Sequence, residues 1–304
     1  MSDQVQEKSP NLDLALIGNC RAASLVDRHA RIVRWCFLRF HSDLVFSRLI
    51  VGDEEKGFCE VALADLFDSD AKYLRNTAVV ETILTNAYGT QVPVTDFAPR
   101  LDRYERTFRP QQSLRRIEPL HGPPRIAIKV RPTCNYGRAI DELVVGSNHI
   151  RYLGGAEVMR LTTDAPPFYI TSEIDFVLTQ PVNLIFGQDD PFRNAIDETS
   201  HECPDRTREH WLGWVRHLGA PFEWQSAVVR AAITLKLCTA KNPAPSLPPT
   251  RLRSRRRHRR KAVGIIATAG CETRFSSSTR RTIWARPTRC NPTSTISPSS
   301  PLLV

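Results

Sequence analysis

Trp35, Arg39, Phe40 and Ser42 fall close together in the segment Trp35-Cys36-Phe37-Leu38-Arg39-Phe40-His41-Ser42, and their types suit sugar recognition. An aromatic face stacks on a pyranose ring, and a planar guanidinium fork bonds to hydroxyls. The same residues also suit a core aromatic beside a structural ion pair, and spacing does not separate the two readings. Asp96, before Phe97-Ala98-Pro99, and Asp164, after Thr162-Thr163, have the look of acid/base carboxylates. Carboxylates at strand ends more commonly cap turns. His201, Glu202, Cys203 and His210 carry ligand atoms on one expected helix, but spacings of one, two and nine do not bring four ligands to one face. Asp53-Glu54-Glu55 reads as a solvated turn. No residue is assigned a catalytic role, and neither metal nor cofactor is expected.

Charge has to be read by region. The 304 residues carry 42 Lys and Arg against 32 Asp and Glu, for a formal charge of +10. Of these, 14 basic residues and one acidic residue fall in 239–304, so the first 238 residues are slightly acidic. The run Arg251 to Lys261 could neutralise phosphates, but no aromatic interleaving or recognition helix accompanies it, and nucleic acid is not the expected partner. The eight cysteines include no C-x-x-C pair and lack the close spacing of a disulfide scaffold. Met1 to Pro10 has no apolar leader core, and no run approaches the length of a membrane span. A cytoplasmic protein with free thiols is expected.

The elements that must position these residues are mostly strands. Short apolar runs recur between turn residues from Leu12 to Gly187: Leu14 to Ile17, Ile32 to Phe37, Phe58 to Leu63, Ala78 to Leu84, Val92 to Phe97, Arg125 to Val130, Val158 to Thr162 and Phe176 to Phe186. This spacing predicts an antiparallel β-sandwich. The clearest hairpin joins Val79–Leu84 to Val92–Phe97, with Gly89 placed to supply a positive φ. Pro93 cannot donate to a ladder and is expected at an edge or bulge. After Gly187 the period becomes helical, with Trp211, Trp214, Val215 and Leu218 on one stretch running from Asp190 to His217. A second helix, Pro221 to Cys238, is apolar on nearly all sides and needs partners on all of them.

Leu14-Ala15-Leu16-Ile17-Gly18-Asn19-Cys20-Arg21 and Ile32-Val33-Arg34-Trp35-Cys36-Phe37-Leu38-Arg39-Phe40-His41-Ser42 resemble the amino-terminal domain of family 15 glycoside hydrolases, the glucoamylase-like and trehalase-like enzymes. The resemblance continues through Thr95-Asp96-Phe97-Ala98-Pro99-Arg100, Arg131-Pro132, Tyr136-Gly137-Arg138 and Leu161-Thr162-Thr163-Asp164, and covers most of residues 12–239. It implies a β-sandwich joined by a linker helix to an (α/α)6 barrel that holds the acid/base carboxylates. It also implies that the sandwich packs on that barrel and that α-glucosides are the substrates. Trp224 to Thr239 looks like the barrel's first helix. Leu38 and His41 depart from the Pro and Asp usual in the first motif, and Cys134-Asn135 from an aromatic-Asp pair.

The resemblance stops near Thr239. Reading the third base of each codon with the first two of the next, Val263 to Arg274 can encode W-D-Y-R-Y-C-W-L-R-D-A, which looks like the barrel motif that follows the first helix in that family. A shift of frame near Thr239 accounts for this and for the Arg and Pro runs. Four regions are therefore expected: a disordered 1–11, a sandwich domain 12–188, a linker helix with one orphan helix of a missing barrel 189–238, and a disordered, out-of-frame basic tail 239–304. The expected function is that of a truncated family 15 glycoside hydrolase, whose intact relatives cleave α-glucosidic bonds such as those of trehalose or α-glucan, and which is inactive alone. The alternatives are a carbohydrate-binding or protein-interaction sandwich and, more weakly, a nucleic-acid binder acting through the tail.

Overall fold

A computed structural model describes residues 13–36, 43–52, 55–103, 106–140, 142–155, 157–189 and 196–239. The expected disordered N-terminus and the tail from 240 onward lie outside these residues. The chain begins with β1 (Leu14–Gly18), β2 (Ala23–Asp27), β3 (Ile32–Cys36) and β4 (Leu44–Phe46), then a single helical turn, α1 (Arg48–Val51). Next come β5 (Phe58–Leu63), β6 (Leu66–Tyr73), β7 (Val80–Asn86), β8 (Gln91–Phe97), β9 (Leu101–Arg103), β10 (Arg106–Phe108) and β11 (Ser113–Ile117). β12 (Arg125–Arg131), β13 (Thr133–Cys134), β14 (Arg138–Ala139), β15 (Glu142–Val145), β16 (His149–Leu153) and β17 (Met159–Thr163) follow. The described chain closes with α2 (Pro167–Thr171), β18 (Phe176–Val177), β19 (Val182–Gln188), α3 (Ile196–Arg216) and α4 (Gln225–Cys238).

The strands form two large antiparallel sheets, as the alternating runs predict. One orders β1-β2-β3-β5-β12-β18 with β4 beside β3; the other orders β15-β16-β17-β19-β11-β8-β7-β6. Alternate residues of each sheet meet in one core: Ile17, Val26, Ile32, Val61 and Ile128 from the first face Val80, Leu84, Val94, Ile117, Leu161 and Phe186 from the second. Period-two side-chain alternation makes such a face-to-face pairing possible. Trp35, Phe46 and Phe186 form an aromatic triad inside it, with ring centroids 5.8–6.1 Å apart.

The core also holds an ion pair. Asp96 and Arg115 lie opposite each other on β8 and β11, both fully buried on the inward face. Arg115 Nε and Nη2 donate to the two Asp96 carboxylate oxygens at 2.7 and 2.9 Å, while Nη1 donates to the Cys59 carbonyl of the opposite sheet at 3.3 Å. Burial works against the guanidinium charge, but the facing Asp96 charge outweighs it and holds Arg115 above its ordinary value.

Three local expectations need revision. Phe176 to Phe186 is two strands, β18 and β19, in different sheets, because the chain turns between them. Pro93 is inside a central strand rather than at an edge; its carbonyl accepts from Glu118 just past the end of β11, so the donor it lacks falls where the β8–β11 ladder ends. The first long helix is described from Ile196 onward, and the expected beginning at Asp190 lies outside the described residues. The second starts at Gln225 rather than Pro221, because Trp224 adopts φ 59°, where a right-handed helix cannot continue. Gly89 does have the positive φ expected of it, at 81°, in the turn whose backbone N–H groups at Tyr88 and Thr90 donate to the Asn86 side chain.

Both long helices pack on the outer surface of the sandwich. Val79, Phe97, Leu114 and Ile185 are buried on that side of the second sheet, with Cys203 of α3 against them. Trp211 of α3 and the stripe Val229, Ile233 and Leu237 of α4 enclose Ala78, with Leu16 alongside. α4 thus buries one stripe at i, i+4, i+8 spacing, while Ala231 on another side is exposed.

Arg115→Met leaves the Asp96 carboxylate buried without a partner and is expected to lower the unfolding free energy by about 3–5 kcal/mol. The double substitution Asp96→Leu with Arg115→Met is expected to recover most of that loss. Urea unfolding of the two variants beside the parent checks both.

Candidate functional site

Two places gather polar side chains from distant parts of the chain. The first lies where the helices meet the sheets. The chain turns from β1 into β2 through Gly18, where a side chain would meet the Ala22 carbonyl oxygen at 2.6 Å. Fully buried Asn19 fixes the turn: its Oδ1 accepts from the Arg21 and Ala22 amides, and its Nδ2 donates to the carbonyls of Pro99 and Pro110. Cys20 is thereby held at φ 69°. Its thiol donates to the Lys236 carbonyl of α4 at 3.0 Å and accepts from Arg100 Nη1 at 2.6 Å.

Arg100 is the hub of this cluster. Its backbone N–H donates to Thr207 Oγ1 of α3, its guanidinium sits 5.1 Å from the Trp211 ring, and its Nε donates to His210 Nε2 at 2.7 Å. Because an arginine N–H can only donate, Nε2 must accept, which places the imidazole proton on Nδ1. Nδ1 then donates to Asp102 Oδ2 at 2.7 Å. Burial, with Arg100 and Lys236 nearby, outweighs Asp102 and holds His210 below its ordinary value. Burial raises Asp102, but the hydrogen bonds from His210 and Thr107 outweigh it and leave its carboxyl below the ordinary value. The result is a neutral imidazole clamped between a cation and a carboxylate.

The second place is a cleft of about 350 Å³ where the two sheets part at one flank. Val130, Arg131 and Pro132 line it from β12 and its exit, and Leu143 and Tyr152 from the paired strands β15 and β16. Ala139 and Ile140 add an aliphatic wall, and Glu55 and Lys56 complete the lining. Arg131 is held in place: Nε and Nη2 each donate to Glu173 at 2.7 Å, and Nη1 donates to the Glu55 carbonyl at 2.8 Å. Those bonds keep Arg131 above and Glu173 below their ordinary values. Tyr152 is only 3% exposed, and its hydroxyl makes no hydrogen bond among the described residues. Burial raises the phenol above its ordinary value, so it remains a donor at neutral pH.

The structure distributes the residues singled out from sequence quite differently. Trp35 is 1% exposed and packs against Phe46 and Phe186 in the core, so its ring offers no face to a sugar. Arg39, Phe40 and Ser42 lie outside the described residues. Asp43, just beyond them, accepts from the backbone N–H groups of Asn135 and Tyr136, which brings two of the resemblance-bearing segments together. Asp96 belongs to the core ion pair rather than to a turn. Asp164 accepts from the Asn183 backbone and side chain at 2.7 and 2.6 Å. Cys203 packs against the sheet, Glu202 pairs with Arg206 on the helix surface, and His210 serves the Arg100 cluster. The side chain of His201 is outside the described residues. Among the described residues, no group of three or more His, Cys, Asp or Glu could hold a metal ion, and no helix is long and apolar enough to cross a membrane. Glu55 is described and lines the cleft, whereas Asp53 and Glu54 are not.

Sequence reasoning missed Arg100, Tyr152 and the cleft. Cys20 and Arg100 stand inside the motifs that carry the resemblance, but nothing local links positions 80 residues apart.

By fold this is an antiparallel β-sandwich domain carrying a helical arm docked on its outer surface. The model of the family described as trehalase-like, N-terminal matches residues 5–180, and the chain belongs to that family. The match relates it to glycoside hydrolases. No curated protein and no solved structure matches it.

Protonating His210 removes the acceptor that Arg100 uses. A folded-state value below the ordinary His value of about 6.5 means that this stabilisation is present above that pH and is lost as pH falls through the lowered value. The stability of the parent chain is therefore expected to fall as pH drops below about 6.5, with a flatter profile for His210→Gln. Urea midpoints measured across that range check the difference.

Proposed function

We propose that the chain is the leading portion of a family 15-type glycoside hydrolase, akin to enzymes that cleave α-glucosidic bonds such as those of trehalose or α-glucan, and that it hydrolyses none by itself. The family match over residues 5–180 carries the relation to hydrolases. Acid/base cleavage of a glycosidic bond uses two carboxyl groups facing each other across it. The cleft lining offers one carboxyl side chain, Glu55, and the neighbouring Glu173 is taken up by the Arg131 fork.

The helical arm supports the same reading. α4 is docked through one stripe, while Phe222 and Trp224 at its leading end are 104% and 80% exposed. Large aromatics so exposed suit a surface meant to be covered, and in the family 15 arrangement a catalytic barrel is what covers it. The alternative-frame reading of Val263 to Arg274 supplies the start of such a barrel, and we extend the proposal to a change of frame near Thr239.

Two measurements test this. Purified chain incubated with trehalose or maltose is expected to release no glucose above the buffer control, and catalytic release overturns the inactive reading. The coding DNA is expected to read W-D-Y-R-Y-C-W-L-R-D-A in the shifted frame, and codons that cannot do so remove the frame change.

A further inference from the structure

The helical arm is tied to the sandwich by small apolar clusters and by one compact polar junction. Among the described residues, every hydrogen bond between α3 and the sandwich ends on Arg100 or Asp102. His210 takes part in two of the three. Its side chain is 8% exposed, whereas that of Asp102, to which it donates, is 59% exposed. The charged groups facing the imidazole are Arg100 from the loop before β9, Asp102 of β9 and Lys236 of α4. On its own helix Arg206, one turn earlier, is paired with Glu202. A proton added at Nε2 turns the ring's one acceptor into a donor, so two N–H groups confront each other across the 2.7 Å that now separates Nε2 from Arg100 Nε. Both groups are then cationic and removed from water, where like charges repel most strongly. The Asp102 carboxylate offsets this weakly, because solvent screens it. Arg100 is 6% exposed and held on its other side by Cys20, so relief comes from moving the helical turn that carries His210.

We propose that Arg100, His210 and Asp102 form a proton-operated latch: uptake of one proton by His210 releases the α3–α4 arm from the outer surface while the two sheets stay folded. The buried cluster between the sheets contains no residue of α3 or α4, so the arm can open as a separate unit. Burial, with Arg100 and Lys236 nearby, holds His210 below its ordinary value, so the latch is closed at neutral pH and opens on acidification. The device governs how the arm is presented and is independent of the hydrolase reading.

Amide hydrogen exchange of the full chain, read by mass spectrometry at about pH 7.5 and pH 5.5 on either side of the ordinary His value and corrected for the intrinsic rate, tests the latch. Amides of α3 and α4 are expected to lose protection about 3- to 10-fold at the lower pH, the upper figure being the ceiling for one proton on a histidine of ordinary value about 6.5. Amides of β8, β11 and β19 are expected to keep theirs. In His210→Gln the side-chain amide still offers Arg100 an acceptor but takes up no proton, and the acid response of the arm is expected to vanish. Asp102→Asn keeps an oxygen for Nδ1 and removes the charge that favours the imidazolium in the closed arm, so the acid response is expected to persist or grow. That variant also separates His210 from Asp102 as the titrating group. Equal loss of protection in the sheets, an arm that stays protected in the acidified parent, a His210→Gln arm that still loosens, or an Asp102→Asn arm that no longer responds each overturns the proposal.

Discussion

A single charged pair sets the terms for the rest of this fold. Asp96 and Arg115 face each other across adjacent strands on the inward side of one sheet, and Arg115 reaches through the core to a backbone carbonyl of the other. A bidentate guanidinium–carboxylate contact tolerates little displacement. The register of β8 against β11 is therefore fixed by geometry as well as by hydrophobic burial, since a slip of one residue would carry either group to the opposite face. The aliphatic core around the pair, from Val94 to Ile128, has to close over two charges, which leaves few alternative packings of the same sheets.

The outer surface of that sheet is organised by a second arginine. Arg100 follows directly from the strand that bears Asp96, and it ties the first turn of the chain, through Cys20, to the two helices at the end. Arg230 adds a further tie in the other direction, with its guanidinium 3.8 Å from the Tyr73 ring and Nη1 donating to the Thr77 carbonyl. The sandwich and its arm thus form one packed unit through polar contacts seated among Trp211, Ile233 and Leu237.

Strands with one face in the core were readable from alternation: β7, β8 and β12 fall on the apolar runs that mark them. β6 was not, because Leu66 to Tyr73 is an edge strand with hardly a buried residue, and its Asp and Lys side chains read as loop. β18 and β19 merged in the sequence because helix α3 covers the second sheet from outside, which buries β19 on both faces and erases its alternation. The site was less legible than the fold. Trp35 carries the same letters whether it faces sugar or core, and only the triad with Phe46 and Phe186 decides. Arg100 is 110 residues from His210, and the cleft draws on four separate stretches of chain, so neither leaves a local pattern.

The bond from Cys20 to the Lys236 carbonyl spans 216 residues, and this has a bearing on synthesis. At roughly 5–20 residues per second, the first turn of the chain would emerge roughly 10–45 s before α4 exists to cover it. During that interval the outer side of β1 and the Arg100 guanidinium are without their final neighbours. A nascent chain of this design must keep its earliest strand soluble while it waits for its last helix. The polar side chains crowded at that junction are well suited to the wait, since water can serve each of them until the helix arrives.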